Sequence, residues 1–278
     1  HTLFEEQLNA DHPYYPFLEN HVTSEFGSIL ASDQQTLYFR LTAPLRQTGK
    51  HPVIIYVYGG PGAQKVRKEW GPLLLQLFAH NGFGVLELDN RGSSNRGRDF
   101  EAPIYKAMGS VEVEDQLRGV EMLKSVPWAD IDRIGIFGHS YGGYMTLMSL
   151  CSAPNVFKAG AAVAPVSDWA LYDSHYTERY MGLPQDNPEE YLRSGILPHL
   201  NQLESPLLLM HGMADDNVLF TNSTLIMSEL QKLGKHFELM TYPGAKHSMQ
   251  ETHVSIHRFT TILNFFSRHL KTKTTEQN

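Results

Sequence analysis

The chain has 278 residues, of which 41% are hydrophobic and 19% charged, a balance ordinary for a globular protein and sufficient for a large core without a metal or cross-link to hold it. The formal net charge of -7 does not favour nucleic acid or an anionic membrane as partner. A single cysteine, Cys151, excludes an intrachain disulfide. No run of about eighteen apolar residues predicts membrane insertion, and no charged-then-apolar leader is present. The chain opens at His1 rather than methionine, which suggests a piece of something longer.

In chain order, the first twenty residues are an irregular lead-in. "VTSEFGSILA" and "QTLYFRL", parted by Ser32 and Asp33, predict an opening antiparallel hairpin. Six short apolar or β-branched runs follow: "PVIIYVY", "FGVLELD", "DRIGIFG", "KAGAAVAP", "SPLLLMHG" and "HFELMTY". Between them, the periodicity predicts helices near 67–80, 111–125, 141–152 and 220–233, with a closing helix near 252–269. Strands alternating with helices imply one α/β domain over residues 21–270, an eight-stranded mostly parallel sheet with helices on both faces. The stretch from Asp168 to Leu200 breaks the alternation and reads as an insertion over one end of the sheet, and residues 271–278 form a polar tail. Arg91, Arg96 and Arg98 in "NRGSSNRGRD" read as a solvated loop.

Ligands of such sheets lie beyond the carboxyl ends of the strands, so the loops there carry the interest. "GIFGHSYGGYM" contains Gly138, Ser140 and Gly142 in G-x-S-x-G spacing, the elbow that lifts a nucleophilic serine out of a strand-to-helix turn. The glycines provide steric relief, because the turn presses their backbones onto neighbouring strands. A serine nucleophile needs a base, and the base an orienting acid, in the order serine, acid, histidine. "MADDN" after a late strand offers Asp215 or Asp216, between which the pattern barely chooses, and "PGAKHSM" after the last strand offers His247. Of fourteen histidines, His211 lies upstream of the acid and His236 opens a strand. His253 and His257 would share a helix face, but "HVSIH" lacks the glutamate of a zinc hydrolase, so no metal is expected. The oxyanion calls for the amide of Tyr141 and a second donor from "YVYGGPG", either an amide or the Tyr58 hydroxyl.

"GHSYGGYM", "APVSDWALYDSHYTERYMGLP", "HGMADDNVLF" and "YPGAKH" together closely resemble the catalytic domain of the prolyl oligopeptidase family, in its bacterial dipeptidyl peptidase IV-like branch, from about residue 12 onward. The resemblance implies an α/β-hydrolase fold with Ser140 as nucleophile, Asp215 as orienting acid and His247 as base. It further implies Tyr58 as side-chain oxyanion donor beside the Tyr141 amide. A proline pocket would be walled by Tyr141, Val166, Trp169, Tyr172, Tyr176 and Val218, with Asn217 bonding a substrate carbonyl. Trp169, Tyr172 and Tyr176, spaced i, i+3 and i+7, would occupy one face of a helix. The implied substrate is a peptide with proline or alanine second, released as a dipeptide without any cofactor. Esterase or acylaminoacyl peptidase activity is the alternative on the same triad, and a non-catalytic binding module the alternative outside enzymes. The resemblance also favours a periplasmic or secreted protein, leaves room for a homodimer, and implies an upstream β-propeller that the 278 residues lack. Glu5 with Glu6 and Glu189 with Glu190 do not stand where that family's amino-terminus-gripping pair does. His139, where tryptophan is frequent, and Ser248, where glycine is common, are further departures.

Overall fold

The computed structural model describes residues 6–271, so Glu5 and the tail expected at 271–278, except for Lys271, lie outside the described residues. Residues 15–20 of the lead-in form a 3-10 helix. The strands are β1 (Glu25–Leu30), β2 (Thr36–Thr42), β3 (His51–Val57), β4 (Gly84–Leu88), β5 (Ala129–His139), β6 (Ala159–Val163), β7 (Leu207–Gly212) and β8 (Glu238–Tyr242). They make one sheet in the order β1-β2-β4-β3-β5-β6-β7-β8. β1 and β2 pair antiparallel, as does β2 with β4, and every pairing from β4 through β8 is parallel. Parallel strands need crossovers over a face, and the helices supply them: α1 (Leu73–His80), α2 (Arg98–Glu101), α3 (Val111–Leu123), α4 (Tyr141–Ser152), α5 (Ser174–Met181), α6 (Pro188–Ser194), α7 (Thr221–Lys232) and α8 (Thr252–Leu270).

Alternation along β3 divides the core. Val53, Ile55 and Val57 belong to one core with Val113 of α3, Leu147 of α4 and Ile226 of α7. Ile54, from the same strand, joins Phe78 of α1 and Phe265 and Phe266 of α8 on the opposite face. A strand covered on both faces must be apolar throughout, which explains why these runs do not alternate with polar residues.

Two expectations need correction. The helix expected from residue 67 begins only at Leu73, because Gly71 is left-handed at φ +84° and Pro72 is extended, and the position before a proline disfavours helix. The arginine-rich loop is largely anchored rather than solvated. Arg91 is buried and forks onto Asp115 at 2.8–3.2 Å, with Asp33 and Glu114 also in reach. Arg96 lies over the Tyr38 and Phe100 rings and donates to the Thr36 carbonyl. Only Arg98 of the three is exposed.

Candidate active site

Ser140 sits between the end of β5 and the start of α4 with φ +61° and ψ -120°, a backbone region costly for a residue with a side chain. Surrounding structure enforces it. The Ser140 amide donates to the Val163 carbonyl on β6, and a Cβ on Gly138 would collide with the Gly142 carbonyl, as one on Gly142 would with that of Val57. Gly143 is equally confined, by the Val163 carbonyl. Tyr141, first residue of α4, has an amide with no intrahelical acceptor.

The loop after β7 carries Asp215, whose side chain is fully buried. Oδ1 accepts the amides of Asn217 and Val218, each at 3.0 Å. Oδ2 accepts from His247 Nδ1 at 2.7 Å and from His211 Nε2 at 3.1 Å. Asp216 turns outward to Lys246 with 60% of its side chain exposed, so of the adjacent pair the structure brings Asp215 to the histidine. Burial alone would raise the Asp215 pKa, but the bonds from His211, His247 and the Asn217 amide outweigh it and hold the carboxyl well below its usual range. An ionised carboxylate only accepts, so His247 must carry its proton on Nδ1, leaving the Nε2 lone pair free.

His247 follows β8, and its ring lies 4.8 Å, centroid to centroid, from that of His139, the residue before Ser140. Burial, followed by the charges of His247 and Arg258, lowers the His139 pKa to about 3. Where tryptophan was expected by resemblance, this histidine is therefore a neutral ring at ordinary pH. The Ser140 hydroxyl itself has no hydrogen-bond partner among the described residues.

On the other side of Ser140 lies a cavity of about 240 Å³, counting the part open to solvent, lined by Tyr58, Ser140, Tyr141, Val166, Trp169, Tyr172 and Tyr176. Tyr58 follows β3, and its ring is 6.1 Å from that of Tyr141. Burial, with Tyr172 and Tyr180 nearby, raises its pKa, so it remains a hydrogen-bond donor. Trp169, Tyr172 and Tyr176 do come together, with centroids 5.3–6.4 Å apart, but not on one helix face. Residues 169–171 are a 3-10 turn, Tyr172 is extended, and α5 starts afresh at Ser174 behind an Asp173 cap that accepts the Tyr176 amide. Side-chain caps of this kind compete with a continuous helix, and the spacing alone gave no sign of the break. Val218 is wholly buried and brings its amide, rather than a cavity wall, to the site. Asn217 Oδ1 accepts the Tyr172 hydroxyl at 2.9 Å.

Two residues escaped the sequence reading. His211, passed over for standing upstream of the acid, is fully buried and shares Asp215 Oδ2 with His247. Its Nε2 faces that oxygen and the Val218 carbonyl, two acceptors, so it donates to both, while Nδ1 accepts from the Ser223 hydroxyl. The second is Glu112 in the first turn of α3, fully buried, whose Oε1 accepts the Tyr141 hydroxyl at 2.7 Å. Its only signal was an acid in a helix's first turn, which ordinarily means dipole compensation.

The sheet order with a serine turn beyond a central parallel strand defines an α/β-hydrolase. A family model described as "Prolyl oligopeptidase family" matches residues 72–273. Dipeptidyl peptidase 8 of Mus musculus is 35% identical over 262 residues, 91% of this chain and 29% of that protein. Prolyl endopeptidase FAP of Mus musculus is 36% identical over 239 residues, 84% of this chain and 31% of its own length. The crystal structure of Porphyromonas gingivalis dipeptidyl peptidase 4 superposes with a TM-score of 0.85 at 35% identity, covering 90% of this chain and 36% of that one. The chain belongs to the prolyl oligopeptidase family. It spans about a third of the length of these relatives.

Proposed function

We propose that the protein is a serine peptidase that releases N-terminal Xaa-Pro or Xaa-Ala dipeptides through an acyl-enzyme. The observation that carries this reading is one residue with two neighbourhoods: Ser140 lines a small aromatic cavity, while the ring of the residue before it lies 4.8 Å from that of a histidine already bonded to a buried aspartate. In the proposed reaction Ser140 Oγ attacks the carbonyl carbon of the second residue as His247 Nε2 takes the hydroxyl proton. Asp215 keeps the imidazole in the Nδ1–H tautomer and offsets its positive charge. The oxyanion is held by the Tyr141 amide and the Tyr58 hydroxyl. Collapse breaks the C–N bond, and the leaving amine takes the proton from His247. Water then repeats the sequence on the ester and frees Ser140.

A pyrrolidine ring offers apolar area and no N–H, which suits walls of Val166, Trp169 and Tyr176. Asn217, whose Oδ1 is occupied by Tyr172, retains its amide N–H₂ for a substrate carbonyl. The greater length of the relatives supports a further upstream domain, which we take to be a propeller that selects the free amino terminus.

The test compares Gly-Pro and Gly-Ala anilides with N-blocked peptides and p-nitrophenyl esters. The reading requires cleavage of the first pair and labelling of Ser140 by a fluorophosphonate. Preference for blocked peptides or esters would instead favour the acylaminoacyl peptidase or esterase alternative, and absence of labelling the non-catalytic one.

A further inference from the structure

The rings around the cavity do not end on like partners. The Tyr144 hydroxyl donates to the carbonyls of Met108 and Ser194 at 3.0 and 2.8 Å, and Trp169 Nε1 donates to the Ser194 carbonyl at 3.1 Å. Neutral backbone acceptors satisfy buried donors at little cost. Tyr141 ends on a carboxyl instead. Glu112 Oε1 accepts both its hydroxyl and the Gly109 amide, at 2.7 and 2.9 Å, while Oε2 is buried with no partner.

Tyr141 is also closely confined. A Cβ on Gly60 would come within 2.7 Å of it, so the Gly60 backbone lies flat against one side. Tyr144 and Trp169 pack at 5.3 Å, and the ring itself lines the cavity. Its tilt is therefore set by packing on three sides and by one polar contact at its tip. Since its amide is also the proposed oxyanion donor, the ring cannot drift without altering the cavity beside the serine.

We propose that Glu112 is a positioning residue for substrate selection: through the Tyr141 hydroxyl it fixes the ring that shapes the small apolar cavity, and it does so more firmly when ionised. This rests on the peptidase reading for what fills the cavity. The groups facing Glu112 are the hydroxyls of Tyr141 and Tyr144 on α4 and of Tyr176 on α5, with the Gly109 and Ser110 amides before α3. Burial pushes the carboxyl up to about 7, so both forms are populated near neutrality. Acid and carboxylate each present Oε1 as acceptor, but the bond to the ionised form is roughly twice as strong.

The experiment measures affinity of the whole protein for Ala-pyrrolidide, which has the five-membered ring but no bond to cleave after it. Wild type, Glu112→Gln, and the pair Glu112→Leu with Tyr141→Phe are compared at pH 6 and pH 8. Taking the ratio of wild type to Glu112→Gln cancels titration of the ligand amine and of the site histidines. The expected ratio improves about fivefold in favour of wild type between the two pH values. The Leu/Phe pair removes both ends of the tip contact but strands the Gly109 amide, so its melting temperature should fall by a few degrees, while its affinity should drop about tenfold and lose that slope. A flat ratio, wild-type affinity and slope in the Leu/Phe pair, or no pyrrolidide binding at all, overturns the inference. Binding with the slope but without Gly-Pro cleavage would remove the peptidase reading and leave the positioning role standing.

Discussion

Two buried carboxyls flank the serine turn and are shifted in opposite directions. Asp215 receives four donors, two amides on one oxygen and two imidazoles on the other, and is kept well below the ordinary carboxylate range despite its burial. Glu112 receives its two side-chain and loop donors on one oxygen, leaves the other bare, and is pushed up to about 7 by that burial. Desolvation raises both, but it is more complete at Glu112, whereas at Asp215 the two imidazoles and the Asn217 amide outweigh it. A charge is sustained on the side of the serine where the proposed reaction shuttles a proton. On the side where the proposed substrate ring would sit, the charge is marginal.

Removing the reacting or charged member of the first region should have the largest effect. Ser140→Ala should abolish acylation, and Asp215→Asn should lower kcat by about 10⁴, because the amide can donate to His247 and stabilise the wrong tautomer. Burst kinetics with a Gly-Pro anilide would measure both. Asp216→Asn, on the exposed neighbour, should leave kcat within about twofold of wild type. Equal losses in the two variants would mean that Asp215 is not the orienting acid.

Next comes Tyr58→Phe, which deletes one proposed oxyanion donor and nothing from the acid side. Kcat should fall about 10²- to 10³-fold with KM little changed. Turnover near wild type would transfer the second oxyanion contact to a backbone amide of the Gly59–Gly60 loop.

How far this contrast was legible beforehand depended on whether a residue's role showed in its position along a strand. All eight strands, the serine turn and the loops bearing Asp215 and His247 could be read, because strand ends in an alternating α/β pattern fix where side chains gather. The pairing of Asp215 over Asp216 could not be read from the pattern alone, since it depends on which neighbour the loop turns inward toward the Asn217 and Val218 amides. Arg91 looked like one more loop cation, and its buried fork onto Asp115 joins residues 24 apart. Glu112 was hidden for the same reason: its partner Tyr141 lies 29 residues away, and local periodicity does not report on such contacts. The aromatic trio was named from the family resemblance, with its spacing as secondary support, and its rings do come together although the helix that spacing assumed is broken at Tyr172.

The two carboxyls also predict opposite pH dependences of stability. Glu112 binds its proton more tightly folded than unfolded, so its contribution is complete below about pH 4.5 and is lost as pH rises through about 7. For Asp215, with its folded value depressed, the contribution is present above the ordinary carboxylate range and lost as pH falls. Glu112→Gln should therefore gain stability relative to wild type between pH 5 and 8, by about 3 kcal/mol at most. Paired thermal melts across that range would show it, and parallel curves would mean that Glu112 ionises in the fold as it does in water.

His211 gives the finest test, because it touches the first carboxyl without touching substrate. Its Nε2–H is divided between Asp215 Oδ2 and the Val218 carbonyl, so it holds the aspartate and the loop that carries Asn217 and Val218 together. Replacing it with phenylalanine keeps a ring against Phe220, which packs edge-on at 5.5 Å, but strands the Ser223 hydroxyl and withdraws one donor from a buried charge. A hydrogen bond to a charged group contributes about 1.5–3 kcal/mol, so kcat should fall roughly 10- to 100-fold as Asp215 loses its fixed orientation. His211→Gln keeps an N–H and should recover part of that loss. If instead both variants lower the melting temperature equally and leave kcat unchanged, His211 serves the packing of α7 against the sheet, and three donors suffice to keep Asp215 ionised and aimed.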